Sequence, residues 1–341
     1  MELQEYILEL ENTVKAIKEK GYKTVAVQLP EGLKNSTFPL VEYLEKETAA
    51  KIIIVADPCY GACDLGSYEL KNLDVDCVIQ LGHAPIPDVE NYWIPTFFVN
   101  ALSKLDVTRV VEKALSALKG KRIGVVTTAQ HLHTLDNVAE ILRQHQLEPV
   151  IGEGDERTAA KGQILGCNFS AAIRINDKVD SFLFIGSGMF HPVGLFLSTK
   201  KHVVAADPYT NKVKIEEIDQ LKDTILKQRY GAIMAAKTSK TFGILIGIKR
   251  GQQRLPIATS IKQMLDSVHK KTVLLAMDNF SPVSLQGFTD IDCFISTACP
   301  RIAIDDYMQF KKPILTPVEM EIVFGKRSWD DYQFDQILKE P

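Results

Sequence analysis

The chain has 341 residues, and its 40 lysines and arginines against 43 aspartates and glutamates give a formal net charge of −3 at pH 7. Because basic residues are not in excess, we expect no direct nucleic-acid partner. No stretch approaches the ~18–20 apolar residues of a membrane-spanning helix, so we expect no membrane association. Apolar residues at 45% and charged residues at 24% indicate an ordinary globular chain of two or three domains.

The first 22 residues, MELQEYILELENTVKAIKEKGY, predict an amphipathic charged helix. They lack the basic start and apolar stretch of a signal peptide, so we expect a cytoplasmic protein. In a reducing cytoplasm the six cysteines are not expected to form disulfides, which leaves metal binding or plain burial.

Strand and helix patterns then alternate in three similar units, which predicts βαβ units and parallel sheets. The third strand is the clearest copy, because Asp76, Asp180 and Asp292 each stand before a small residue and an apolar run. Each unit is predicted to contain a first strand, a helix, and then a second, third and fourth strand. In that order, the predicted elements of the first unit are 23–28, 36–47, 51–56, 75–79 and 96–99. Those of the second unit are 122–127, 135–144, 149–152, 179–183 and 202–206, and those of the third unit are 241–246, 257–269, 272–277, 291–295 and 313–316.

The helix over 36–47 illustrates the pattern. Its apolar residues Phe38, Leu40, Val41 and Leu44 fall near the i, i+3, i+4 spacing of a buried face.

The predicted fold is therefore α/β, with three similar βαβ domains and parallel sheets in a pseudo-threefold arrangement around a central site. The expected domains are 1–103, 104–213 and 214–341. Neither boundary lies in a linker rich in glycine and serine, so we expect the domains to pack tightly.

One cysteine in each unit lies at a strand end or in a loop, beside small residues. Cys63 follows the second strand of the first unit, Cys167 lies in the long loop after the second strand of the second unit, and Cys299 follows the third strand of the third unit. Cysteines so far apart cannot form a local zinc loop and meet only if three domains close around a common centre. Three thiolates are an incomplete ligand set, which suits an iron–sulfur cluster with one open iron.

The other cysteines are interpreted differently. Cys77 and Cys293 lie within apolar strand runs, so they are predicted to be small buried hydrophobes. Cys59 is four residues before Cys63 and could share its metal or lie just outside the ligand set, but one thiolate from each domain is the simpler geometry.

Five motifs, in order along the chain, strongly resemble one family, the archaeal diphthamide synthases or 2-(3-amino-3-carboxypropyl)histidine synthases. They are Tyr60-Gly61-Ala62-Cys63-Asp64, Thr127-Thr128-Ala129-Gln130-His131, Gly166-Cys167-Asn168, Gly186-Ser187-Gly188-Met189-Phe190-His191-Pro192 and Ala298-Cys299-Pro300-Arg301. The resemblance extends from about Val25 to Leu338.

The resemblance implies three α/β domains around a [4Fe-4S] cluster bound by Cys63, Cys167 and Cys299, with S-adenosylmethionine at the open iron. Members cleave the bond between the sulfur and the γ-carbon of the methionine part, and the 3-amino-3-carboxypropyl radical adds to C2 of a histidine on translation elongation factor 2, the first step of diphthamide formation. A homodimer and an electron donor are implied as well. The sequence lacks the C-x3-C-x2-C loop of ordinary radical S-adenosylmethionine enzymes.

Residues near strand ends are the candidates for holding the co-substrate, whose amino and carboxylate groups need charged or dipolar partners. By position they are Glu31, Gly32, Gln130, His131, Gly186, Ser187, Gly188, His191, Lys249 and Gln252. Arg301, two residues after Cys299, could hydrogen-bond the cluster or a substrate carboxylate, and a surface salt bridge is the equal alternative.

Three other functions remain open from the residues. A quinolinate-synthase-like enzyme shares the three-domain, three-cysteine plan and uses its open iron as a Lewis acid in dehydration and condensation. A non-catalytic cluster-bearing subunit would only relay electrons or support a partner. Structural zinc would need the three cysteines plus a histidine.

Overall fold

Three open sheets organise the molecule in the computed structural model, which describes residues 1–3, 5–65, 68–87 and 94–338. The strands are β1 Tyr6–Leu8, β2 Thr24–Gln28, β3 Lys51–Val55, β4 Cys77–Leu81, β5 Thr96–Val99, β6 Ala101–Ser103, β7 Arg122–Thr127, β8 Glu148–Val150, β9 Ser181–Ile185, β10 His202–Asp207, β11 Lys212–Lys214, β12 Thr241–Gly247, β13 Lys271–Met277, β14 Cys293–Ser296 and β15 Ile314–Leu315.

Helices connect most of these strands. They are α1 Glu11–Lys20, α2 Thr37–Thr48, α3 Thr108–Ala114, α4 Leu135–Gln144, α5 Ser170–Ile173, α6 Phe190–Thr199, α7 Glu216–Thr238, α8 Leu255–Ser267, α9 Pro282–Leu285, α10 Pro300–Ile304 and α11 Pro317–Val323, with short 3₁₀ turns between. Within the described ranges, no helix is both long and apolar enough to cross a membrane.

The three sheets share one strand order and one register. Their orders are β3-β2-β4-β5, β8-β7-β9-β10 and β13-β12-β14-β15, all parallel, and the second sheet adds β11 antiparallel to β10. In the first unit, Val25 is the second residue of β2 and lies opposite the second residue of β3 and the first residue of β4. Ile123 of β7 has the same register with β8 and β9, and Phe242 of β12 has it with β13 and β14. The predicted α/β fold with parallel sheets is confirmed.

The repeated aspartate has the same contacts in all three units. The carboxylate of Asp76 accepts hydrogen bonds from the backbone N–H groups of Lys23 and Thr24, at 2.6 and 2.9 Å. Asp180 does the same at residues 121 and 122, and Asp292 at residues 240 and 241. These backbone hydrogen bonds lower the pKa of all three carboxyl groups. Each aspartate therefore joins the start of the third strand to the start of the first.

The third strands form the centre of each sheet, and β4, β9 and β14 are buried along their whole length. Burial on both faces of the sheet explains why their sequences are continuous apolar runs. Cys77 and Cys293 lie in β4 and β14 with no exposed surface, as their interpretation as core residues predicts.

The N-terminal prediction of a helix over residues 1–22 is wrong in its first half. β1 pairs antiparallel with β6, with Tyr6 opposite Ser103, and α1 begins only at Glu11. Leu8 and Leu10 are fully buried, so tertiary pairing of this short apolar stretch outweighs its local helical pattern. Gly21, in the left-handed conformation at φ 65°, ends α1.

The predicted buried face of α2 is also corrected at one position. Leu40 and Leu44 are buried, but Phe38 is 81% exposed. Phe38 is two residues before Leu40, about 200° around the helix, so the two side chains point to opposite sides. The predicted boundaries near residues 103 and 214 fall close to the end of β6 and the start of α7, and the division into domains stays a prediction.

Candidate functional site

The carboxyl ends of the strands in all three sheets lead into one cavity of about 280 Å³. Loops after parallel strands are where α/β sheets place their ligands, and here three such edges meet. The lining residues are 60–64, His83, Ala84, Ile86, 128–130, 163–167, Phe190, His191, Lys249, Gln252, 278–280, Cys299, Arg301, Ile302 and Asp306.

The first cysteine of the cavity, Cys63, lies in the loop after β3. The side-chain amide of Gln28, the last residue of β2, donates to the carbonyl of Asp64 at 2.7 Å. The Asp64 carboxylate accepts from the backbone N–H of Tyr60 at 3.2 Å and forms an ion pair with Lys249 of the third unit. These contacts fix the loop from both its own sheet and a neighbouring unit.

The second cysteine, Cys167, stands in a two-residue turn, because the backbone groups of Leu165 and Asn168 hydrogen-bond each other at 2.9 and 3.2 Å. The Asn168 amide donates to both oxygens of Asp155, at 3.0 and 2.8 Å. From the C-terminal part of the chain, the backbone N–H of Ile337 donates to the Cys167 carbonyl at 2.7 Å.

The third cysteine, Cys299, is the residue before α10. Buried Arg254 holds the preceding backbone, because its guanidinium donates to the carbonyls of Thr297 and Ala298 at 2.7 and 3.0 Å. The same guanidinium forms a buried ion pair with Asp335 at 2.6 Å. Arg254, itself held by Asp335, thereby fixes the backbone directly before Cys299.

Burial is the main influence on the three thiols. It raises the pKa of Cys63, Cys167 and Cys299, and the pKa of Cys167 reaches about 12. The charge of a neighbouring cysteine raises the pKa of Cys167 and of Cys299 further. The thiols are therefore close enough that ionisation of one of them disfavours ionisation of a neighbouring one. A cationic metal centre reverses this preference, because a coordinating thiol is deprotonated by the metal.

The arrangement of the three thiols fits the ligand set of an iron–sulfur cluster. In the described part of the chain, no group of three or more His, Cys, Asp or Glu side chains is placed around a single ion. Three thiols from three loops around a larger cavity match the ligand set that leaves one iron of a cluster open.

Cys59 lies behind the cavity wall rather than in it. It is 3% exposed, and its sulfur accepts from the Gln80 side-chain amide at 3.2 Å. Burial raises the pKa of Cys59 to about 11. The described contacts thus place Cys59 as a support for the Cys63 loop.

The predicted co-substrate residues separate into two groups. Gln130, His191, Lys249 and Gln252 line the cavity, and so does Arg301. The remaining candidates, which lie outside its lining, are Glu31, Gly32, His131, Gly186, Ser187 and Gly188. Glu31 is exposed and pairs with Lys34 at 2.6 Å, and His131 is buried against Tyr209.

Several lining residues were not predicted from sequence. Asp278 and Asn279 directly follow β13, His83 follows β4, and Gln163 forms a bridge beside the last residue of β7. Asp278, Asn279 and His83 share one signal, a polar residue just beyond the end of a parallel strand, which becomes informative once the strand order is known.

Two histidines of the cavity are neutral at physiological pH. Burial lowers the pKa of His83 to about 4, and burial together with the Arg301 charge lowers that of His191 to about 4. Arg301 lies over the Phe190 ring at 4.9 Å and pairs with Asp305 at 2.9 Å. Among the described residues that line the cavity, the basic side chains are Arg301 and Lys249.

Sequence comparison finds relatives along nearly the whole chain. The family model described as "Putative diphthamide synthesis protein" matches residues 29–333. The 2-(3-amino-3-carboxypropyl)histidine synthase of Pyrococcus horikoshii is 38% identical over 331 residues, covering 96% of this chain and 93% of that protein. The synthase of the same name from Methanocaldococcus jannaschii is 30% identical, covering 98% and 94%.

Structural comparison agrees. A crystal structure of Dph2 from Pyrococcus horikoshii with a 4Fe-4S cluster superposes with a TM-score of 0.89 at 35% identity, covering 99% of this chain and 96% of that one. A second structure of Dph2 from the same organism gives a TM-score of 0.87.

Proposed function

This chain belongs to the diphthamide synthesis protein family, and from that premise we propose that it transfers the 3-amino-3-carboxypropyl group of S-adenosylmethionine to C2 of a histidine on translation elongation factor 2. Relatives at 38% and 30% identity over almost their full length carry the name 2-(3-amino-3-carboxypropyl)histidine synthase, which makes the chain a transferase of this type.

The observation that carries the proposal is the convergence of Cys63, Cys167 and Cys299 on one cavity. These three thiolates would hold a [4Fe-4S] cluster, the cofactor named for the solved Pyrococcus horikoshii structure. When reduced, such a cluster supplies the electron that cleaves the bond between the sulfonium sulfur and the γ-carbon.

The chain's own residues would bind and orient the co-substrate. Arg301 and Lys249 offer positive charge for its carboxylate, and Asp278 and Asp306 offer negative charge for its amino group, all within the cavity lining. The neutral rings of His83 and His191 add no charge that would repel the sulfonium. Orientation is the protein's main contribution, because the sulfonium substituent nearest the iron determines which bond breaks.

The partners follow from the same proposal. We expect the cytoplasmic elongation factor as protein substrate, an electron donor for the cluster, and a homodimer as the working form.

The test begins with anaerobic purification and analysis of iron and sulfide. Dithionite and S-adenosylmethionine are then added, and the products are separated by chromatography. We expect about four irons per chain and methylthioadenosine as product. Cys63→Ala, Cys167→Ala and Cys299→Ala should each abolish cleavage, whereas Cys293→Ala, in the core of β14, should retain the iron.

Other outcomes would select another function. 5′-Deoxyadenosine would mean that the adenosyl bond breaks instead. A cluster without cleavage would favour the quinolinate-synthase-like dehydratase or the non-catalytic subunit, and zinc alone after anaerobic reconstitution would contradict the cluster.

A further inference from the structure

A turn of the third unit packs directly on the backbone of Cys63. The turn is the 3₁₀ segment Arg250–Gln252, which follows β12. A Cβ atom added to Gly251 would lie 2.5 Å from the Cys63 Cβ and 2.6 Å from its Cα, closer than real Cβ contacts allow. Glycine at this position therefore permits the turn to touch the cysteine.

The turn is held on each side by a different unit. The Lys249 side chain pairs with Asp64 of the first unit and donates to the Asn279 side chain at 3.0 Å. The Arg157 guanidinium of the second unit donates to the Gly251 carbonyl at 2.9 Å. Within the turn, the Gln252 N–H donates to the Lys249 carbonyl at 2.9 Å. The turn thus has little freedom relative to Cys63.

Gln252 uses this fixed position to reach the cysteine sulfur. Its side chain is 6% exposed, and its amide Nε2 lies 3.4 Å from the Cys63 Sγ, within the range of an N–H···S hydrogen bond.

We propose that Gln252 is a positioning residue for the cluster, donating a hydrogen bond to the Cys63 sulfur and thereby raising the cluster's reduction potential. The inference rests on the proposed function and changes the role predicted for Gln252 from contact with the co-substrate to contact with a cluster ligand. Hydrogen bonds to ligand sulfurs favour the more negative, reduced state, which is the state that must form before bond cleavage.

The test uses full-length reconstituted protein without co-substrate and follows the cluster potential by EPR-monitored titration. Gln252→Met keeps the side-chain length and removes the N–H donors, so its potential should fall below that of the wild type. Gln252→Glu adds negative charge and should lower the potential further.

Gln130→Met is the matched control. Gln130 lines the same cavity, but its amide donates to the Gly82 carbonyl at 2.8 Å, so the potential should not change. The binding of S-adenosylmethionine to the oxidised cluster is measured in parallel. A wild-type potential with weaker co-substrate binding in Gln252→Met would overturn the inference and return Gln252 to the co-substrate.

A second measurement covers the case in which a variant loses its iron. Protein with ¹⁵N in its glutamine side chains should show a ¹⁵N hyperfine coupling on the reduced wild-type cluster. Absence of this coupling would also overturn the inference.

A shifted potential in protein that cleaves no S-adenosylmethionine would support the inference and contradict the proposed function. Wild-type protein that assembles no cluster would contradict both.

Discussion

At the scale of single residues, burial dominates the electrostatics around the cavity. It raises the pKa of the cysteine thiols and lowers the pKa of the histidines, so both residue types are neutral without a bound cation. The thiols and histidines of the site therefore do not repel one another during folding, and the negative charge of the thiolates develops only when a metal deprotonates the thiols.

His131 provides a residue-scale prediction about acid stability. It is 2% exposed, and its Nδ1 has no hydrogen-bond partner among the described residues. Burial, and next the neighbouring His133, lower its pKa from 6.5 to about 4. Between these two values the unfolded chain binds a proton that the folded chain does not, so stability falls as the pH falls.

His131→Phe should make the stability less dependent on pH, because phenylalanine removes the titrating group and can keep the edge-on contact with Tyr209. The variant should gain up to about 3 kcal/mol relative to the wild type between pH 6.5 and 4. Urea unfolding at several pH values measures this gain, and parallel curves for the two proteins would contradict it.

At the scale of elements, a buried ion pair joins α7 to α11. Arg229 and Glu319 have no exposed side-chain surface, and their charged groups contact at 2.6 Å. Arg229 also donates to the carbonyls of Ala303 and Ile314, each at 2.6 Å, and the Tyr332 hydroxyl donates to Glu319 at 3.2 Å. The Glu319 carboxylate completes a capping box with Thr316 at the start of α11.

Arg229→Met should lower the free energy of unfolding by about 3–5 kcal/mol, because it leaves the Glu319 charge and two carbonyls buried without their donor. The urea midpoint measures the loss. Lys15→Ala removes an exposed partner of Glu19 and should leave the midpoint nearly unchanged. Equal midpoints for the two variants would show that the buried pair contributes little.

Elements were predictable from the sequence where local pattern and tertiary role agree. The four strands of each unit were predicted to within about two residues, and helix α4 and strands β5 and β7 with their observed bounds. The pattern failed where a distant segment completes the structure, since β1 pairs along its whole length with β6, about 95 residues later in the chain. Phe38 shows the second weakness, since helical spacing alone did not exclude an exposed apolar residue.

At the scale of the whole molecule, the three units depend on one another through the cavity. Asp64 of the first unit pairs with Lys249 of the third, and Arg157 of the second donates to Gly251 of the third. A disturbance at this junction should therefore affect the cofactor before it affects the sheets.

Gly251→Ala tests this dependence. The added methyl group meets the Cys63 backbone rather than the end of a flexible side chain, so the turn and the cysteine must separate. We expect the iron content to fall severalfold while the far-ultraviolet spectrum stays that of the wild type. Gly231→Ala in α7, where an added Cβ meets nothing within 4 Å, should keep its iron. Retention of full iron by both variants would mean that the contact is not needed.

The three cysteines that line the cavity were predictable from the sequence, but its other lining residues were predictable only in part. Cys63, Cys167 and Cys299 were predicted to meet because each lies near a strand end or in a loop of a different unit, and all three line the cavity; their role as cluster ligands stays a prediction. The wall depends on how three sheets tilt toward one another, which no local pattern encodes. Gly186, Ser187 and Gly188 also follow a strand, yet they lie outside the cavity lining.

The hydrogen bond from Ile337 to the Cys167 carbonyl has a consequence for how the protein matures. A growing polypeptide emerges with its N-terminal part first, and its early domains fold as they appear. The turn that carries Cys167 nevertheless receives its final backbone partner only after residue 337 has been made, and Cys299 also comes late. A cofactor held by all three cysteines would therefore have its complete ligand set only after Cys299 has been made, and the finished Cys167 turn only after residue 337 has been made.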